Sequence, residues 1–196
     1  MKHQYFADRR DFYKYELLLD LAEGQPQPKH FFSVLMLTQN DGTGEGDVTD
    51  YAVGHRRPEP FAFLKDCLVG SRHLSSLRTF MKQAGIDYCP LYDDCYFSDS
   101  ARNAYFTVCS DIADRYPLIF FDPDIGLETG TRGYMLRKGI EKYLMYSDIA
   151  TVSTAAASRS VLVVYQHLQR DKSRVRLDLE KKCRRLCRAV GSRFAT

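Results

Sequence analysis

Three short apolar runs, each stopping abruptly in polar residues, constrain the fold of this chain more than any other feature. Residues 31–37, interrupted only by Ser33, residues 117–121, and residues 160–165 with Val161, Leu162, Val163 and Val164 at their centre are apolar on both alternating faces. Strands of this kind belong to parallel sheets covered by helices on both sides. Each run ends in groups that carry chemistry: Asn40 and Asp41 with Gly42, Gly44 and Gly46; Asp122 with Asp124 and Glu128; Gln166 with His167 and Arg170. In parallel neighbours these ends converge on one sheet edge, where ligands bind in open α/β sheets.

Helical patterns separate the runs. Residues 10–23 place Phe12, Tyr15, Leu18, Leu19 and Ala22 on one face and end at Gly24, Pro26 and Pro28. Residues 61–68 and 74–81 give two more helices divided near Gly70, and Ser100 is placed to cap a helix reaching Asp114. Residues 87–99, rich in Tyr and Asp, read as irregular. A further helix is expected over residues 137–146, followed by a small-residue stretch at 151–158. The last pattern, Val175, Leu179, Cys183, Leu186 and Val190, gives a basic amphipathic helix over about 172–190. The whole predicts a single α/β domain over residues 1–196, Rossmann-like and three-layered, with a mainly parallel sheet.

The net charge of +3 hides an asymmetry. From residue 170 onward there are ten Lys or Arg against three acids, leaving eighteen bases and twenty-two acids in the rest. An acidic body with a basic tail fits either a polyanion-facing helix or one that docks on the body itself. The longest apolar run is far short of the roughly 20 residues that span a bilayer, and the first eight residues lack the apolar stretch of a secretory signal. Six cysteines without a Cys-x-x-Cys pair read as reduced, mostly buried thiols, so a cytoplasmic location is expected and a zinc site is not.

The glycines at 42, 44 and 46 permit close backbone approach to a nucleoside or phosphate, or form a plain surface loop. Asp122, Asp124 and Glu128 fit Mg²⁺ or Mn²⁺ for phosphodiester cleavage, hydrogen bonds to ribose or amine, or a capped turn. His167 and Arg170 suit a general base and a phosphate anchor, or structural roles. Tyr5, Phe6, Phe12, Tyr13 and Tyr15 make an aromatic start, either core or a stacking lid. Asp8, Asp11 and Lys14 share one helix face, where a modest exposed ion pair is expected if nothing binds them.

These residues in this order, Tyr5-Phe6-Ala7-Asp8, Asp11-Phe12, Lys14-Tyr15, Asn40-Asp41-Gly42, Asp122-Pro123-Asp124, Gly126-Leu127-Glu128, Lys142-Tyr143 and Tyr165-Gln166-His167, resemble an uncharacterised bacterial and phage protein family. Ala7 stands where that family has Gly, and Ile125 where it has Asn. Against that family the chain stops soon after the basic helix, where a further strand pair is expected. More distantly, the order of features is similar to the rRNA adenine methyltransferases and the three-Cys-motif partner proteins, with Lys14, the Gly42-Gly44-Gly46 loop and Asp122-Pro123 in corresponding places. That resemblance implies a Rossmann-like fold binding S-adenosylmethionine, with Lys14, Asp41, Gly42, Gly44 and Gly46 toward the cofactor and Asp122 receiving a target amine. Asp124 replaces the second proline of the amine-binding turn and Ile125 its aromatic residue, and no acid on the following strand is identifiable.

Three functions follow as expectations. The first is a methyltransferase-like protein acting on nucleic acid, with Asp122, Asp124 and His167 as its catalytic residues. The second is a metal-dependent nuclease or phosphoesterase using Asp122, Asp124 and Glu128 with His167. The third is a non-catalytic nucleotide- or nucleic-acid-binding module whose basic C-terminal helix meets its partner.

Overall fold

A computed structural model describes residues 1–25, 29–44, 46–50, 57–70, 72–168 and 171–191. Pro26, Pro28 and Arg170 lie outside these described residues. The elements are α1 (Arg9–Glu23), β1 (His30–Leu35), α2 (Pro58–Val69), α3 (Ser76–Gln83), β2 (Asp87–Leu91), α4 (Arg102–Ala113) and β3 (Leu118–Asp122). They continue with β4 (Gly126–Leu127), α5 (Arg132–Lys138), β5 (Tyr143–Leu144), α6 (Tyr146–Ala155), β6 (Val161–Val164) and α7 (Val175–Val190).

β2, β1, β3 and β6 form one parallel sheet in that order, with Phe32 opposite Ile119 and Phe120 opposite Val163. Alternation along the strands divides the core in two. Phe31, Tyr88, Leu118 and Phe120 face α1, α2 and α3, whereas Phe32, Val34, Ile119 and Phe121 face α4 and α6. This is the expected α/β three-layer arrangement with a parallel sheet. No helix among the described residues is long and apolar enough to cross a membrane.

Four expectations need correction. Residues 87–91 form a strand rather than irregular chain; β2 lies at the sheet edge, where Pro90 is tolerated because its missing N–H can face away from the ladder. The helix expected over 137–146 instead ends at Lys138, because Gly139 takes a left-handed φ of 92° and Tyr143–Leu144 pair with Gly126–Leu127. The small-residue stretch is largely the second half of α6. In α7 the buried stripe is rotated from the expected one: Leu186, Ala189 and Val190 pack against the core, Cys183 is exposed and Lys182 is buried.

The sheet order reverses between β1 and β3, so the crevice outside their C-terminal ends is where such a sheet takes its ligand. Asp122 ends β3 at this point.

Candidate functional site

Entry into α1 builds the first part of the site. Asp8 caps the helix, accepting from the amides of Arg10 at 2.7 Å and Asp11 at 2.9 Å, while Asp11 accepts from the amide of Ala7 at 3.2 Å. Ala7 itself is left-handed, with φ 67°. The backbone at this position is thus one that favours glycine.

This turn aims Asp11 and Lys14 at the end of β3. Lys14 Nζ donates to Asp11 Oδ1 at 2.8 Å and to Asp122 Oδ2 at 2.9 Å, and lies 4.4 Å from the centre of the Tyr165 ring. All three charged residues are buried. The exposed ion pair expected from sequence is therefore a buried triad, with Asp122 supplied by a distant strand. Burial opposes charge on Lys14, but Asp11 and Asp122 outweigh it and hold the ammonium charged. Two carboxylates share that one cation, and burial pushes Asp11 up to about 6.

The second part comes from the start of the chain. The Met1 amine donates to Met36 O at 3.0 Å, and Met1 O accepts from the Thr38 amide at 2.8 Å, so this segment lies across the end of β1. Lys2 bonds Asp41 and Tyr5 and stands 3.6 Å from Asp124 Oδ2. Thr38 donates to the same Asp124 oxygen at 3.1 Å. The other oxygen, Oδ1, is buried without a hydrogen-bond partner and faces the Met1 amine at 3.8 Å.

The glycine loop is engaged elsewhere. Gln4 exchanges two hydrogen bonds of 2.9 Å with Asp41, and Arg72 bonds Phe6 O at 2.7 Å and Gly46 O at 2.8 Å. A side chain at Gly46, whose φ is 99°, would bring its Cβ within 2.5 Å of Gln4 O. Close approach at Gly46 is therefore to the chain's own first turn, while a Cβ at Gly42 would meet no atom within 4 Å. Asp41, with Lys2 hydrogen-bonded to it, is held well below the usual carboxylate range.

Asp8, Asp11, Lys14, Asp122, Asp124, Arg10, Tyr165 and His167 enclose a cavity of about 10 Å³, room for one water-sized group. It adjoins a cleft of about 500 Å³ between α1 and β6, with which it shares Arg10, Lys14, Tyr165 and His167. Tyr13, Leu17, Leu18 and Val163 form the apolar wall of that cleft. His167 is pushed down to about 4, by burial first and then by Arg10 and Lys14, so its imidazole is neutral at pH 7.

Asp122, Asp124 and His167 therefore line one small cavity at the C-terminal edge of the sheet. Glu128 does not join them: it accepts from the Tyr146 amide at 3.0 Å at the start of α6. Among the described residues no group of three His, Cys, Asp or Glu side chains is arranged to hold a metal ion. The donor chemistry agrees, because Lys14 and Lys2 already stand against the two aspartates. Gly42, Gly44 and Gly46 do not line the cleft.

Sequence reasoning misses Lys2, Thr38 and the wall residues Leu17 and Val163, which carry no local signal of a site. Asp93, just beyond β2, is bonded by Arg78 at 2.9 and 3.0 Å and lines neither the cavity nor the cleft. Comparison with family models, curated proteins and solved structures finds no match to this chain.

Proposed function

We propose that the chain is a methyltransferase-like protein that binds S-adenosylmethionine in the cleft between α1 and β6 and acts on nucleic acid. The observation that carries this reading is the joining of an apolar, tyrosine-lined cleft of about 500 Å³ to a small acidic cavity at the sheet's switch point. That volume is within the range of cofactor sites. Tyr13 and Tyr165 offer rings to a base, Leu17, Leu18 and Val163 offer apolar surface, and Arg10 stands at the shared mouth. Since Gly42, Gly44 and Gly46 do not line the cleft, holding the cofactor falls to these wall residues.

When bound, S-adenosylmethionine supplies an electrophilic methyl group. Asp124 Oδ1, buried and unpartnered, is the acceptor for a target N–H; Asp122 is already engaged by Lys14. The neutral imidazole of His167 takes the proton that the amine loses.

Thermal unfolding with S-adenosylmethionine tests the reading. At a hundredfold excess over Kd, binding adds about 2.7 kcal/mol, which raises Tm by roughly 5–10 °C in a chain of this size. Replacing Tyr165 by Ala abolishes the shift. An unchanged Tm with S-adenosylmethionine and with its demethylated product overturns the proposal.

A further inference from the structure

A second cavity, of about 460 Å³, lies between α7 and the segment following β4. Lys181, Lys182, Arg184, Arg185 and Arg188 line it against two carboxylates, Glu128 and Asp178, an excess of three positive charges. These cations are held in place to different degrees. Lys182 is only 9% exposed and donates to Leu127 O at 3.0 Å, fixing α7 to the end of β4. Arg185 lies 4.5 Å over the Tyr146 ring, with Glu128 at 3.8 Å, too far for a hydrogen bond.

Tyr146 supplies an independent observation. The residue lines this cavity and is 6% exposed, yet its Oη has no hydrogen-bond partner. Thr129, on the same wall, likewise has a buried hydroxyl without a partner. Buried hydroxyls are normally bonded, and an unmet one carries a desolvation cost. Two unpartnered hydroxyl donors beside a group of Lys and Arg side chains form a donor set for an oxyanion with several acceptor oxygens.

We propose that α7 and the β4–α5 segment form a phosphate-binding site, in which Tyr146 and Thr129 donate to the oxygens and Arg185 and Arg188 supply the balancing charge. The phosphate is either a phosphodiester of single-stranded nucleic acid or a free phosphate group. The nucleic-acid source rests on the function proposed above; the site itself does not.

The test uses the full chain with a short fluorescein-labelled oligouridylate, its deoxythymidylate counterpart, and inorganic phosphate and pyrophosphate. Oligonucleotide binding is expected to weaken with salt, and Arg185→Gln and Arg188→Gln each lower the slope of log K against log salt by about 0.7. Tyr146→Phe keeps every charge and weakens binding about three- to tenfold without changing that slope. Thr129→Val does the same by a smaller factor and serves as the second variant if Tyr146→Phe lowers the melting temperature. Binding of phosphate and pyrophosphate alone, with the same dependence on Tyr146, assigns the site to a free phosphate group. No binding of any probe, or binding by Tyr146→Phe and Thr129→Val equal to that of the unaltered chain, overturns the proposal. A failed S-adenosylmethionine shift leaves this test intact, because none of these probes requires the cleft.

Discussion

Lys14 Nζ lies 2.9 Å from Asp122 Oδ2 across 108 residues of chain, and 2.8 Å from Asp11 Oδ1 one helical turn away. Helix α1 and strand β3 are thereby joined through a buried triad in which two anions depend on one cation. Lys14→Met removes that cation and leaves both carboxylates uncompensated. A loss of about 3–5 kcal/mol is expected in urea denaturation. Asp122→Asn keeps the pair with Asp11 and costs less, about 1–3 kcal/mol. Equal losses in the two variants would show that the triad does not act as a shared-cation unit.

Stability against pH carries two opposing contributions from this site. Asp11 titrates near 3.8 in the unfolded chain and at about 6 in the folded one, so its contribution is present below pH 4 and is lost as pH rises to 6. His167 goes the other way: from 6.5 unfolded to about 4 folded, its contribution is present above pH 6.5 and is lost as pH falls toward 4. The two largely offset each other between pH 4 and 6. His167→Gln removes one side of this balance. Relative to the unaltered chain, the variant should gain stability steadily as pH falls from about 6.5 to about 4 and show a constant difference above about pH 7.5. A difference that is flat with pH would place His167 in solvent.

The left-handed turn at Ala7 gives a stereochemical prediction. Ala7 is fully buried with φ 67°. Glycine at this position relieves backbone strain but gives up a buried methyl and adds unfolded-state entropy, so Ala7→Gly should lie within about 0.5 kcal/mol of the parent. Ala7→Val places a β-branched residue in the same conformation and should cost more than about 2 kcal/mol. Calorimetric melting of the two variants separates them; equal melting temperatures would mean that the turn does not constrain the helix entry.

Substitution of the glycines distinguishes a packing role from a ligand role. Gly46→Ala forces a Cβ against Gln4 O and retains a positive φ, and should cost about 2–4 kcal/mol. Gly42→Ala has a φ of 67° with open space around it, and should cost only about 1 kcal/mol. Neither should alter the affinity for S-adenosylmethionine measured by calorimetry at a temperature where both are folded. A tenfold weakening in Gly42→Ala alone would move the ligand to this loop.

The central strands are legible in the sequence because continuous apolar runs such as residues 117–121 have few alternatives to burial in a parallel sheet. β2 is not, since Asp87 and Pro90 break that pattern; it exists because Phe31 and Phe32 of β1 offer a ladder for Tyr88 and Cys89. The helix spacing of Asp11 and Lys14 is legible, but their burial is not. It depends on Asp122 and Tyr165, contributed by segments remote in sequence. The same holds for Asp124, whose surroundings come from Met1, Lys2 and Thr38, residues with no periodicity to mark them. Glu128 shows the opposite limit: closeness in sequence to Asp124 does not place it in the same cavity, because the β4 pairing turns the chain away.

The two outer strands of the sheet are unequally guarded. β2 presents Asp87 and Pro90 at one edge, a charge and a missing donor that discourage a further strand. β6 ends the sheet on the other side with Val161, Leu162, Val163 and Val164, half-buried at most positions and with Val161 39% exposed, and no strand among the described residues pairs beyond it. An apolar edge without charge or proline is a template for self-association. At high concentration, intermolecular pairing should therefore start from β6, where it would also close the cleft that β6 forms with α1.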